Sequence, residues 1–116
     1  MIKHIVMWKL REFPSRDEKL KTSRTLRQKL LEMKKSIKQI KSIEVGINAE
    51  KASASNYDVI LITQFQSIDD LQVYKVHPAH QELVEYLQTI RELRVAIDYE
   101  FEEESQYSWQ LIIDNW

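Results

Sequence analysis

The stretch Ile2-Lys3-His4-Ile5-Val6-Met7-Trp8-Lys9-Leu10 alternates between two faces along its whole length. One face carries His4, Val6, Trp8 and Leu10, and the opposite face carries Lys3, Ile5, Met7 and Lys9. This period of two residues predicts a β-strand. Because apolar side chains occur on both faces, the strand needs cover on each side.

A helix is predicted directly after this strand. Pro14 interrupts the alternation, and Ser15 with Glu18 forms the capping box that opens many helices. One apolar stripe then recurs at spacings of four and three residues, at Leu26, Leu30, Met33, Ile37 and Ile40. Lysines cover much of the remaining surface, so we expect one helix face to pack and the other to face water.

Three further strands and a divided helical region follow. Alternation or unbroken apolar sequence predicts strands around residues 43–47, 57–65 and 95–101. The single glycine, Gly46, indicates a bulge or a close backbone approach in the second strand.

Two short helices are predicted between the third and fourth strands. Ser67 caps a helix that ends at about Tyr74, and Pro78 suits the first position of a helix that ends at about Ile90. The resulting β-α-β-β-α-β order is the ferredoxin-like arrangement of the α+β class, with helices on one face of the sheet. The other, apolar face predicts a homodimer in which two sheets pack around a two-fold axis.

Composition excludes several classes of site. A chain of 116 residues has room for one domain. The absence of cysteine excludes disulfides and thiolate zinc sites, and one glycine is too few for a phosphate-binding loop. No apolar run is long enough to span a membrane, and the opening residues predict no signal peptide, so we expect a cytoplasmic protein.

The charge is unevenly distributed along the chain. Residues 1–51 carry a net charge of +8 and residues 52–116 a net charge of −9, which leaves −1 overall. A basic half is one feature of nucleic-acid-binding proteins. We favour the simpler interpretation, in which the lysines form the solvated face of one helix, because no nucleic-acid motif accompanies them.

The segment Tyr74-Lys75-Val76-His77-Pro78-Ala79-His80 carries the densest chemical signal. His80 shares a helix face with Leu83 or Val84, Leu87 and Ile90, so we expect it to point toward the sheet. Burial and the positive end of the helix dipole both disfavour an imidazolium. A neutral imidazole can accept a proton, as a general base must.

Each of these residues also has a structural interpretation. His80 could be a satisfied core or capping group, and Tyr74 a packing residue rather than one that orients a substrate carbonyl or phenol. His4 could line the same cavity or fill an edge position. His77 and His80 have a spacing known from metal sites, but the motif contains no carboxylate, so we expect neither metal nor cofactor.

The segments 2–10, 43–48, 57–61, 74–80 and 97–100 together resemble the stress-responsive dimeric α/β-barrel (Dabb) family. The Tyr-x-x-His-Pro-x-His and Ile-Glu-Val-Gly-x-Asn elements carry most of this resemblance, which covers residues 1–101. Residues 102–116 lie outside the pattern. Their large apolar residues predict a tail that docks on its own or the partner subunit, for example as an extra edge strand.

The resemblance implies both a fold and a chemistry. It implies a ferredoxin-like subunit whose sheet meets a partner's sheet in a dimeric barrel, with a cavity between sheet and helices. Plant members that act as polyketide cyclases use a tyrosine and a histidine that match Tyr74 and His80. There the histidine removes a proton so that a linear poly-β-keto chain closes by an aldol step, without metal or cofactor. Val59 stands where those cyclases place a further histidine on the third strand.

We therefore expect a stress-responsive dimer that binds a small apolar or aromatic ligand. His80 is the candidate base and Tyr74 the candidate orienting group, and the predicted cavity lining is His4, His77, Val6, Trp8 and Val59. The main alternative is a non-catalytic stress-associated dimer. A monooxygenase-like enzyme rests on fold analogy alone, and a nucleic-acid binder rests on the lysine-rich helix.

Overall fold

The computed structural model describes residues 1–102 as an antiparallel sheet with helices on one side. The elements are β1 (Ile2–Leu10), α1 (Arg16–Ser36), β2 (Ser42–Ile47), β3 (Val59–Phe65), α2 (Ile68–Val76), α3 (Pro78–Ile90) and β4 (Arg91–Glu100). The predicted ferredoxin-like α+β order is confirmed, including the division of the second helical region. The predicted docking of the tail concerns residues 102–116, and all of these except Glu102 lie outside the described residues.

Local signals in the sequence account for where the helices begin. The Oγ atom of Ser15 accepts a hydrogen bond from the backbone N–H of Glu18 at 3.1 Å. Ser67 accepts in the same way from Asp70 at 3.2 Å. Both predicted caps are confirmed, and each satisfies a backbone donor that the first helical turn leaves free.

The strand order is β2-β3-β1-β4, so β1 lies in the interior of the sheet. β1 pairs antiparallel with β3 on one side and with β4 on the other. In this register His4 lies opposite Thr63 of β3 and opposite Asp98 of β4. Residues directly opposite each other leave the sheet on the same face, so all three side chains share the helix side.

The helix side of the sheet holds the core. Alternate residues of β1 and β3 are buried there, namely Ile2, His4, Val6, Trp8, Leu10, Val59, Leu61, Thr63 and Phe65. The predicted apolar stripe packs against them, and each of its members is at most 3% exposed. The helix ends earlier than predicted, however, at Ser36, so Ile37 and Ile40 follow α1. His4 and Thr63 are the polar exceptions among these strand residues. Buried polar side chains in the middle of a sheet need hydrogen-bond partners.

The other face of the sheet is apolar and exposed. Met7, Leu93, Val95, Ile97 and Tyr99 are between 37% and 58% exposed. Ile60 and Ile62 of β3 are partly buried on the same face, so β3 is apolar on both faces as predicted but fully buried on only one. A single chain therefore leaves a large apolar surface in water.

Gly46 lies at the rim of this face, opposite Ile60. The pairing of β2 with β3 runs through Gly46 without a bulge. A Cβ atom at this position would come within 2.9 Å of Cγ2 of Ile60. Of the two predicted explanations for the glycine, the close approach is confirmed, and the neighbouring atom belongs to a side chain.

Candidate functional site

Tyr74, in the last turn of α2, is the centre of a cluster of aromatic rings. Its ring centroid lies 4.5 Å from that of His80, 5.8 Å from that of His4 and 5.0 Å from that of Phe65. Tyr74 is only 1% exposed. The structure thus brings three of the predicted site residues, His4, Tyr74 and His80, into contact around one buried ring.

The bend between α2 and α3 places His80 against Tyr74. α2 ends at Val76 and α3 begins at Pro78, with His77 as the shared cap. Nδ1 of His80 lies 2.9 Å from the carbonyl oxygen of Lys75. Because a carbonyl oxygen can only accept, Nδ1 must carry the proton and donate it. In the neutral ring Nε2 then holds the lone pair and is the basic nitrogen.

His4 is held by a partner on the neighbouring strand. Its Nδ1 contacts Oδ1 of Asp98 on β4, and Oδ2 of Asp98 lies 3.7 Å from Nζ of Lys75. The carboxylate accepts from Nδ1, so the basic nitrogen of a neutral His4 is again Nε2. On the other side, Thr63 donates its hydroxyl to the backbone oxygen of His4 at 3.2 Å.

Burial governs protonation in this cluster. Desolvation lowers the pKa of His80 below its ordinary value of 6.5, although the hydrogen bond to Lys75 opposes the shift. Desolvation also lowers the pKa of His4, against the opposing effect of Asp98. The same cause raises the pKa of the Tyr74 hydroxyl far above 10.0. At neutral pH the cluster therefore holds two uncharged imidazoles and an intact phenol.

The remaining predicted site residues lie elsewhere. Nδ1 of His77 accepts from the backbone N–H of Ala79 at 3.0 Å and so caps α3. Trp8 on β1 pairs in register with Val59 on β3. Trp8 lies four residues along β1 from His4. Four residues of strand span about 13 Å, so these two side chains lie in the core at a distance from Tyr74. Val6 lies between the two places, fully buried.

Four cavities among residues 1–102 lie away from the cluster. None of these four is lined by His4, Tyr74 or His80. One of about 350 Å³ lies at the start of α1 and is bordered by Phe13, Leu20 and Asp58. The Tyr74 ring occupies the space between sheet and helices, so a ligand cavity beside His80 stays a prediction.

Sequence reasoning missed the charged residues around the cluster. Alternation placed Asp98 on one face of the fourth strand but did not show which face looks toward the helices. The face that Asp98 takes depends on the pairing of β4 with β1. Asp98 and its partner His4 are 94 residues apart in the chain. Lys75 of α2 was missed as well, because its contact with Asp98 depends on how α2 packs beside β4. Within residues 1–102 no group of three or more histidine, aspartate or glutamate side chains could hold a metal ion.

The described helices also bear on membranes. No helix within residues 1–102 combines the length and the hydropathy needed to cross a bilayer.

Several solved structures are similar to this chain. A dimeric protein of unknown function with a ferredoxin-like fold from Bacteroides fragilis is 32% identical, with a TM-score of 0.76 over 86% of this chain and 95% of that chain. A dimeric ferredoxin-like protein of unknown function from Thermobifida fusca is 23% identical, with a TM-score of 0.68 over 86% and 90%. Hydroxynitrile lyase from Passiflora edulis is 15% identical, with a TM-score of 0.71 over 90% and 95%. The last two likenesses concern the fold alone.

No curated protein matches the chain in sequence. The model of the stress responsive A/B barrel domain, in contrast, matches residues 2–101, nearly the whole of the described part. The order of elements, the His4–Tyr74–His80 cluster and this match agree with the resemblance seen in the sequence. The chain belongs to the stress responsive A/B barrel domain (Dabb) family.

Proposed function

We propose that this protein is a homodimer that binds a small molecule at the Tyr74 cluster and performs acid/base chemistry there without a cofactor, of the kind that polyketide cyclisation requires. The observation that carries the proposal is the hydrogen bond from Nδ1 of His80 to Lys75, because it leaves Nε2 as a fixed basic nitrogen. The alternative tautomer would lose that bond.

His80 has the properties of a general base. Its lowered pKa keeps the ring uncharged at neutral pH, so the lone pair on Nε2 is available. In the proposed step Nε2 takes a proton from the carbon between two ketone groups. The resulting enolate carbon attacks a second carbonyl carbon, a carbon–carbon bond forms, and the new alkoxide takes up the proton from His80.

Tyr74 suits the complementary role. Burial raises its pKa, so the hydroxyl keeps its proton and can donate a hydrogen bond to the oxygen on which negative charge develops. Its ring is fixed by contacts with Phe65 and the two histidines, which reduces the cost of orienting the hydroxyl. His4, oriented by Asp98, would border the same ligand.

We expect a ligand to approach the cluster over β4. All residues from Glu92 to Glu100 are exposed, no helix among residues 1–102 covers this strand, and the side chain of Asp98 is 30% exposed. Tyr74, in contrast, is only 1% exposed. We expect a ligand to enter beside Asp98 and reach the histidines from there.

The exposed apolar face supports the dimer. Proteins rarely leave such a contiguous apolar surface in water, and a self-complementary face closes on a two-fold axis. The similar structures from Bacteroides fragilis and Thermobifida fusca are dimeric. Packing this face against its copy would bury Met7, Val95 and Ile97 and complete the family's barrel.

Proton exchange at a ketone tests the chemistry. With acetophenone in D₂O, we expect the protein to accelerate exchange of the methyl protons and His80→Gln to lose that acceleration by about 100-fold, the usual range for a general base. Tyr74→Phe should lose part of it. Glu85→Gln, on the exposed side of α3, is the control. Exchange that is unchanged in His80→Gln would overturn the proposal.

A non-catalytic dimer is the second candidate, favoured by a specific observation. Every histidine has a structural partner: His4 contacts Asp98, His77 caps α3, and His80 binds the end of α2. In that case His80→Ala should lower the free energy of unfolding by several kcal/mol, and wild-type protein should not accelerate exchange at all. The two measurements together separate the candidates.

A further inference from the structure

β4 is an edge strand that is exposed on both faces. It ends the order β2-β3-β1-β4, and with ten residues it is the longest of the four described strands. Every residue from Glu92 to Glu100 is exposed. Proteins rarely leave a long apolar edge strand free, because its backbone groups can pair with any other extended chain. A strand of this length and composition therefore needs a partner along its edge.

The hydrogen bonds at the end of β4 show which backbone groups point to that edge. The N–H of Phe101 donates to the carbonyl oxygen of Met1 at 2.9 Å, and the amino group of Met1 donates to the carbonyl oxygen of Phe101 at 3.0 Å. Backbone groups of an antiparallel strand point alternately to its two sides. The odd-numbered residues of β4 therefore bond to β1. Within residues 1–102 the free edge presents the N–H and C=O groups of the even-numbered ones, namely Arg94, Ala96, Asp98 and Glu100.

The chain continues from this edge with a segment of matching pattern. The family match ends at residue 101, so the tail follows the family domain. Four large apolar residues of the tail alternate as the exposed face of β4 does, namely Tyr107, Trp109, Leu111 and Ile113. Ile112 is the one apolar residue between them. This alternation is typical of a strand that places one apolar face against others of its kind.

We propose that residues 107–114 form a fifth strand, antiparallel to β4 of the same chain, with Tyr107 opposite Phe101. Residues 102–106 then form the connecting loop, and five residues are enough for a hairpin. In this register apolar residues lie opposite each other on the exposed face, in the pairs Tyr107–Phe101, Trp109–Tyr99, Leu111–Ile97 and Ile113–Val95. Such cross-strand pairs of aromatic and branched side chains stabilise a sheet. Phe101 belongs to this face, because Nζ of Lys3 lies over the rings of both Tyr99 and Phe101.

The other face of the tail selects this register among its neighbours. Asp114 lies opposite Arg94, and Ile112 lies opposite Ala96, the apolar residue among the even-numbered ones of β4. A shift of two residues toward a shorter loop would place Asp114 opposite Glu92, where like charges repel. A shift of two residues toward a longer loop would place Ile112 opposite a carboxylate. A shift of one residue would turn the whole apolar face of the tail to the polar side of β4.

The added strand would change both sides of the sheet. On the exposed face, Trp109 and Leu111 would widen the apolar surface proposed for the dimer. On the helix side, Gln110 would lie opposite Asp98, beside the route that we expect for a ligand. The fifth strand would thus form one border of that route.

Amide hydrogen exchange of the full chain, followed by NMR, tests the strand. We expect the amides of Ala96 and Asp98 to exchange more than about tenfold more slowly than in Ile112→Pro, because proline removes a donor and disfavours the strand. The amide of Ile97 bonds to β1 and should be protected in both proteins. Glu104→Pro, in the proposed loop, is the matched control and should keep the protection. Exchange of Ala96 and Asp98 that is the same in wild type and Ile112→Pro would overturn the fifth strand.

Two introduced cysteines test whether the strand belongs to the same chain. The natural chain has no cysteine, so only the introduced pair can form a disulfide. Ala96→Cys combined with Ile112→Cys places two Cα atoms about 5.5 Å apart in the proposed register, a distance that disulfides span. We expect mass spectrometry of the oxidised, unreduced protein to show a single chain that has lost the two thiol hydrogens.

Ala96→Cys combined with Ile113→Cys is the control for this cross-link. In the proposed register these two side chains leave the sheet on opposite faces, so we expect no disulfide within the chain. A covalent dimer of the first pair would place the tail on β4 of the partner subunit instead. The absence of any disulfide in the first pair would refute the register. Either outcome overturns the proposal.

Discussion

His77 and His80 stand three residues apart, yet their Nδ1 atoms have opposite roles. Nδ1 of His77 accepts from a backbone N–H, whereas Nδ1 of His80 donates to a backbone carbonyl. The first nitrogen is therefore occupied by the helix cap, and the second leaves Nε2 of its ring basic. Residue type and spacing alone do not separate these two states, because each depends on one local backbone group.

The lowered pKa values predict how stability depends on pH. Folded His4 and His80 bind protons less readily than the unfolded chain, in which histidine titrates near pH 6.5. As the pH falls below about 7, the unfolded state takes up more protons, so the free energy of unfolding decreases. The slope should not exceed about 1.4 kcal/mol per pH unit for each group.

Urea denaturation at pH 7.5, 6.5, 5.5 and 5.0 measures this dependence. His80→Gln should flatten it, and Thr89→Val, at the other end of α3, should leave it unchanged. Stability that increases on acidification would show that the histidines are charged in the folded protein.

At the scale of elements, the junction of α2 and α3 forms the site. α2 ends and α3 begins around one residue, His77, and Pro78 occupies the first helical position. This sharp bend brings the first turn of α3 beside the last turn of α2, so that His80 meets both Tyr74 and the Lys75 carbonyl. A longer connection would separate the two rings.

His77 should therefore act on stability through its cap. His77→Ala should lower the free energy of unfolding by about 1 kcal/mol, the usual cost of removing an N-cap, whereas His77→Asn should retain most of it. Chemical denaturation measures both variants. A loss of ligand affinity in His77→Asn without a loss of stability would instead assign His77 to the ligand site, as the sequence predicted.

At the scale of the whole molecule, the two faces of the sheet have different surroundings. The helix side holds the core and the Tyr74 cluster, and the opposite side is apolar and exposed. β4 contributes to both faces, since Asp98 contacts His4 on the helix side while Val95 and Ile97 face outward. We therefore expect the proposed dimer and the proposed site to share β4.

A charged residue in the exposed face should prevent association. Ile97 is 58% exposed in the single chain, and Ile97→Lys would place a cation in the centre of the proposed interface. Sedimentation velocity should show a monomer for this variant. Leu31→Lys, at an exposed apolar residue of α1, should remain dimeric. Wild-type protein that sediments as a monomer at high concentration would refute the dimer.

The elements and their order were determined by the sequence itself, because they depend on local periodicity and on caps. The alternation of Ile2–Leu10, the caps at Ser15 and Ser67, and Pro78 each act within one or two turns of chain. They predicted the strands and the helix starts. Errors were confined to boundaries, such as β4 beginning at Arg91 rather than near Val95.

The surroundings of the histidines were decided only by tertiary structure. Asp98 meets His4 because β4 pairs with β1 in one particular register. A shift of that pairing by one residue would turn Asp98 to the opposite face and place Ile97 or Tyr99 opposite His4. Such long-range pairing leaves no trace in the local pattern, so the carboxylate partner of His4 had to be read from the fold.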